Sequence, residues 1–173
     1  MSKVVTFSRV FPAYHPKAGQ PTYFVEQIYN SIYKLKTGDW SDAIDLDGTG
    51  RSYVVELDHL QKGVKNHTIR VGDRFKVGDK FSPRIWSGKP YTTKQIIIAP
   101  DIEIKKIWKF EIRESDLFID GVLIFDRVTI DYHTQLGTLA KNDGLSTDDL
   151  LDWFQYPKPF KGQIICWNEN IVY

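Results

Sequence analysis

Lys65, Thr68 and Arg70 are the residues whose types and spacing suggest chemistry, within Gly63-Val64-Lys65-Asn66-His67-Thr68-Ile69-Arg70. An amine, a hydroxyl and a guanidinium would converge there if a short extended segment lined a cavity. A threonine hydroxyl is a poor nucleophile until a neighbour takes its proton, and an exposed lysine, with a pKa of about 10.4, keeps its own proton at neutral pH. Chemistry at this stretch therefore demands that Lys65 be partly buried, with its pKa lowered. The plainer reading is a surface lysine and a strand threonine. His67 should point to the opposite face if the segment is extended.

The surrounding chain alternates short strands with a few helices. Lys3 to Phe11 is β-branched and aromatic and stops at Pro12, which predicts a strand. Thr22 can cap a helix to about Leu35, with Phe24, Val25, Ile28, Ile32 and Leu35 at helical spacing. Asp39, Asp42, Asp45 and Asp47 crowd a polar stretch. Set on an EF-hand loop, however, it puts Ala43 and Val54 in ligand slots, so it reads as a solvated loop. Strands are expected at Tyr53 to Leu57, Lys80 to Trp86, Lys94 to Ala99 and Asp101 to Ile112, with one helical turn at Asp58 to Lys62. The alternation slips at Lys105-Lys106, as in a bulge.

Leu117-Phe118-Ile119, Asp120-Gly121 and Val122-Leu123-Ile124 spell a hairpin with a two-residue turn. Helices are expected from about Thr129 to Asn142 and from Ser146 to Phe154, the second opened by Ser146 with Asp149 three residues on. Gly162 to Tyr173 supplies the closing strand or strands. Many short strands with helices in the crossings predict an α+β protein on a closed or partly closed barrel.

Bulk properties narrow the partners. The chain has 173 residues, 26% charged and 42% hydrophobic, with a net charge of +1, which is the profile of an ordinary globular domain rather than of a nucleic-acid coat protein. No stretch has the roughly 20 apolar residues of a membrane span, and no secretory signal opens the chain, so a cytoplasmic protein without membrane contact is expected. The single cysteine, Cys166, lies in an apolar run and reads as a buried strand residue. His59, His67 and His133 are too scattered to argue for zinc, so no metal is expected. With no P-loop, Gly-x-Ser-x-Gly or dinucleotide fingerprint, no cofactor is expected either.

Three blocks carry a resemblance. They are Val5-Thr6-Phe7-Ser8-Arg9-Val10-Phe11, the Gly63 to Arg70 stretch with Phe75-Lys76-Val77-Gly78-Asp79, and Ala140-Lys141-Asn142-Asp143-Gly144-Leu145-Ser146. In this order the chain resembles the ASCH group of the PUA-like β-barrel superfamily, small domains suspected of RNA binding, some of which hydrolyse acetylcytidine. The resemblance implies one PUA-like barrel over residues 1–173 with peripheral helices, and a helical insertion at about 12–58 that forms a wall or lid over the pocket.

The resemblance also implies roles: Lys65 as proton acceptor, Thr68 as nucleophile and Asp143 as proton donor. Asp143 stands where those hydrolases carry glutamate, one methylene longer, about 1.5 Å of reach on bond lengths. Arg9 and Arg70 match family arginines that would hold the pocket or an anionic ligand group; an ion pair with Asp73 or Asp79 is the other reading. Arg84 and Trp86 would place a guanidinium and an indole beside a base, with core packing the alternative for Trp86. Two functions follow, each with a nucleoside, nucleotide or RNA base as ligand: an amidohydrolase for N-acylated nucleosides, or a PUA-like module that binds without cleaving.

Overall fold

The computed structural model describes residues 2–33, 44–45, 52–53, 62–126 and 133–173. The expectations for Leu35, most of the aspartate-rich loop, Val54 to Leu57, His59 and the first turn of the Thr129 helix lie outside these residues.

The fold is α+β and mostly sheet. In one sheet β1 (Lys3–Thr6) runs parallel to β5 (Lys80–Trp86), which also pairs antiparallel with β6 (Gln95–Ile97) and β7 (Ile102–Glu103). The second, fully antiparallel sheet has the order β10 (Val122–Phe125), β9 (Asp116–Ile119), β8 (Lys106–Arg113), β11 (Phe160–Cys166), β4 (His67–Val71). A short pair, β2 (Ile44–Asp45) with β3 (Ser52–Tyr53), stands apart. The described strands thus form open sheets, and no pairing among them closes a barrel.

Several elements follow local chemistry closely. Asp120 and Gly121 both have positive φ, 48° and 82°, as a two-residue turn of the mirror-image type requires, and β9 and β10 pair across it. Ser146 caps α3 (Thr147–Trp153) by accepting from the Asp149 amide at 3.1 Å. Helix α1 (Phe24–Tyr33) begins two residues after Thr22, whose hydroxyl accepts from the Phe24 amide at 3.4 Å.

The stretch from Asp101 to Ile112 differs from one bulged strand. It is two strands in different sheets, and the slipped alternation at Lys105 marks the crossing. The Ile104 amide still donates to Asp79, the residue before β5 of the first sheet, while the Lys105 amide donates to Cys166 of the second. The opening strand is also shorter than expected, since regular pairing ends at Thr6 and only an isolated bridge joins Val10 to Pro21.

One apolar core joins both sheets and the helices. Phe7, Phe81 and Trp167 meet across it at ring separations of 5.8 to 6.5 Å, linking β1 and β5 of one sheet to the end of β11 in the other. Leu136 and Leu139 of α2 (His133–Asn142) and Leu150 of α3 are fully buried in the same core, each contributing about 1.5–3 kcal/mol by area. That packing brings the C-terminal end of α2 against the loop before β4.

Candidate active site

Helix α2 ends in a cap that puts a carboxylate where a helix disfavours one. The Leu145 amide donates to Ala140, the Gly144 amide donates to Lys141, and Gly144 takes φ +78°, which is the paired-bond stop that glycine favours. Asp143 is the cap residue of this motif, at the negative end of the helix dipole, where an anion is unfavourable unless a cation answers it. Lys65 supplies the cation. Its Nζ donates to the Asp143 backbone carbonyl and, at 2.7 Å, to Asp143 Oδ1. Asn66 completes the end by donating its amide to the Asn142 carbonyl at 2.8 Å.

The ion pair is sealed, with the Lys65 side chain 1% exposed and its ammonium 4.1 Å from the centre of the Phe24 ring. Burial is the largest influence on the Lys65 amine and lowers its pKa from the ordinary lysine value; the charge and hydrogen bond of Asp143 oppose this only in part. For the Asp143 carboxyl, burial pushes the pKa up, but the Lys65 charge and the His67 contact outweigh it and leave it below the usual range. The 2.7 Å contact is the geometry of an ammonium paired with a carboxylate.

Lys65, Thr68, Arg70, Trp86 and Asp143 all line one cavity of about 270 Å³. Its other walls are largely aromatic, with Phe7 and Phe24, Trp153 and Phe154 at the end and cap of α3, and Tyr91 from the loop between β5 and β6. Trp86 and Tyr91 lie 5.3 Å apart with their rings tilted by 51°, and Tyr91 is 88% exposed. Arg70 donates from Nη2 to the Thr6 carbonyl at 2.7 Å and lies over the Phe7 ring; it makes no ion pair with Asp79, which holds Lys3 at 2.5 Å. Burial draws the Arg70 guanidinium down to about 10, against the pull of Asp143, and it stays charged at neutral pH.

Two residues singled out in the sequence stand off this cavity. Arg9 is exposed, and its backbone carbonyl accepts from Thr22. Arg84 is half-buried and bonds Ser82 Oγ at 3.2 Å and Gln95 Oε1 at 3.3 Å. Cys166 is fully buried in β11 and burial raises its thiol to about 11, which suits an inert strand residue.

His67 corrects the expected geometry. Regular pairing of β4 starts only at His67, opposite Cys166, so Lys65 lies in the loop before the strand and strict alternation does not relate the two. The imidazole turns to the same carboxylate as Lys65, with Nδ1 3.4 Å from Asp143 Oδ1, and stacks edgewise on Tyr173. Burial is the main cause that lowers the His67 pKa, with Asp143 opposing, so the ring is neutral.

Sequence reasoning also missed a polar stripe on α1 beside its apolar face, made of buried Gln27 and Asn30 and half-buried Ser31. Gln27 bonds the carbonyls of Lys62 and Gly144, Asn30 bonds that of Gly63, and Ser31 donates to Asn66 Oδ1. Their spacing of three and four residues was the available signal. The helix predicted as a wall or lid supplies the Phe24 wall and holds the site loops from beneath.

No protein-family model, curated protein or solved structure matches this chain. What the site can do rests on its own groups: an amine and a carboxylate able to exchange a proton, beside a hydroxyl, in a small aromatic chamber.

Proposed function

We propose that the chain is an ASCH-type, PUA-like domain that hydrolyses a small N-acylated heteroaromatic amine of nucleoside size, acetylcytidine being the model substrate. The observation that carries this reading is the buried Lys65–Asp143 contact of 2.7 Å on the wall of a cavity that Thr68 shares. One proton shift along that contact turns the ion pair into a neutral amine and a neutral acid at no change in total charge. Burial favours this shift at both ends, since it lowers the lysine and raises the acid. A ligand that fills the chamber and expels water strengthens the same tendency.

From the neutral pair the steps balance. Thr68 Oγ attacks the acyl carbon while Lys65 Nζ takes its proton; Asp143 then gives its proton to the amide nitrogen as the carbon–nitrogen bond breaks. The free amine leaves, an acyl ester remains on Thr68, and ammonium and carboxylate are restored. A water molecule next attacks the ester as Asp143 accepts its proton, and Lys65 returns a proton to Thr68 Oγ. The acid is released and the neutral pair returns. The aromatic walls suit a flat ring, and Arg70 supplies positive charge for a carbonyl or anionic group.

A second reading has an observation of its own. Lys65 directs two of its hydrogens at Asp143 and none at Thr68 in the resting structure, as a binding module built on the same cap would also show. Neither reading needs a membrane, since no helix among the described residues is long and apolar enough to cross one, and a cytoplasmic location belongs to the proposal. Incubation with acetylcytidine separates the readings. Release of cytidine by the parent, abolished in Lys65→Ala and Thr68→Ala, is expected of the enzyme; a folded, inactive parent that still binds a nucleoside or an RNA oligonucleotide at moderate salt would favour the module.

A further inference from the structure

Lys65 and Asp143 come from segments far apart in sequence, joined beside the pair by Asn66, whose amide donates to the Asn142 carbonyl at 2.8 Å and whose Nδ2 donates to Asn142 Oδ1 at 3.0 Å. One residue of a third element touches both segments. The Gln27 backbone carbonyl accepts from the Lys65 amide at 3.1 Å, and its side-chain Nε2 donates to the carbonyls of Lys62 and of Gly144, each at 3.1 Å. Gln27 is 5% exposed, and its Oε1 is buried with no hydrogen-bond partner among the described residues. That oxygen lies so close to Gly144 that a Cβ there would stand 1.9 Å from it. A buried amide with an unsatisfied oxygen carries a desolvation cost, which marks a side chain held for what its other end does.

We infer that Gln27 is the positioning residue that sets the Lys65–Asp143 contact, by bridging the loop before β4 to the cap of α2. The role rests on the proposed hydrolysis only for its consequence in rate; the bridge itself is open to a separate measurement. Glutamine fits because a single primary amide carries two hydrogens, one for each carbonyl. An isosteric side chain without them leaves both carbonyls unanswered and loosens a junction then held by the Asn66–Asn142 bonds. Catalytic geometry tolerates little of this, a displacement of about 1 Å costing about 100-fold in rate.

The test is Gln27→Met, of similar length and volume, with Ile28→Val as a control in the same buried helix. The first readout needs no substrate: reductive methylation mapped by peptide mass, in which Lys65 of the parent and of Ile28→Val stays unmodified while Lys65 of Gln27→Met becomes labelled. The second is acetylcytidine turnover, where kcat of Gln27→Met falls by about 100-fold with KM nearly unchanged and Ile28→Val keeps parental kcat. Should Gln27→Met not fold, Gln27→Glu fills the same space, lacks the hydrogens when ionised, and gives the same labelling of Lys65. Protection of Lys65 with parental kcat in a folded Gln27 variant would overturn the inference and leave the function standing. A parent without turnover whose Lys65 becomes labelled only in the Gln27 variants would overturn the function and leave the bridge standing.

Discussion

Lys65 and Asp143 stabilise each other only as a pair, because each alone would be an uncompensated charge inside the protein. Lys65→Met should cost about 3–5 kcal/mol in urea melts, while Lys65→Met with Asp143→Leu should recover most of that loss, since an apolar pair of similar volume avoids both desolvation costs. Equal losses in the single and double variants would contradict a sealed pair. His67 gives a second test through pH. Its folded pKa lies below the unfolded 6.5, so as pH falls through that value the unfolded chain takes up a proton that the folded chain refuses. Stability should therefore drop between about pH 7.5 and the lowered folded pKa, and His67→Gln should flatten that part of the curve. The lysine, the threonine and the aspartate were legible in the sequence through their blocks. His67 was not, because its expected direction assumed an extended segment already at Lys65.

At the scale of elements, a glycine holds the strand of the site in register. Gly162 of β11 lies where a Cβ would come 2.1 Å from the Arg70 carbonyl, against the β4 strand that carries Thr68 and Arg70. Gly162→Ala should split that pairing, lowering stability by about 1–3 kcal/mol and accelerating amide exchange in β4 before it does so in β9 and β10. The hairpin of β9 and β10 and the cap of α3 were readable because each is fixed by a few adjacent residues. The division of Asp101 to Ile112 between two sheets was not, since it depends on Asp79 and Cys166, partners distant in sequence. The polar stripe of α1 was masked for a similar reason: Gln27 is polar by composition and is buried only because the two site loops close over it.

Across the whole molecule, charge and volume bound the proposed ligand. A net charge of +1 offers little to a long phosphate backbone, and a chamber of about 270 Å³ holds one nucleoside-sized molecule. Nucleoside binding should change less than about threefold between 50 and 200 mM salt, where several phosphate contacts would cost about 1,000-fold or more. The α+β class was legible from alternation and breakers, whereas the open sheets that the described strands form in place of the expected barrel were not, because strand closure depends on pairings that leave no local trace. The most direct measurement of the central claim uses p-nitrophenyl acetate, whose leaving group needs no proton, with folded Asp143→Asn. In the proposed mechanism, loss of the carboxylate removes the group that activates water for the second half of the reaction, so one acetyl group should accumulate on Thr68 and be found there by peptide mapping. An unmodified Thr68, or acetyl spread over exposed lysines alone, would contradict it.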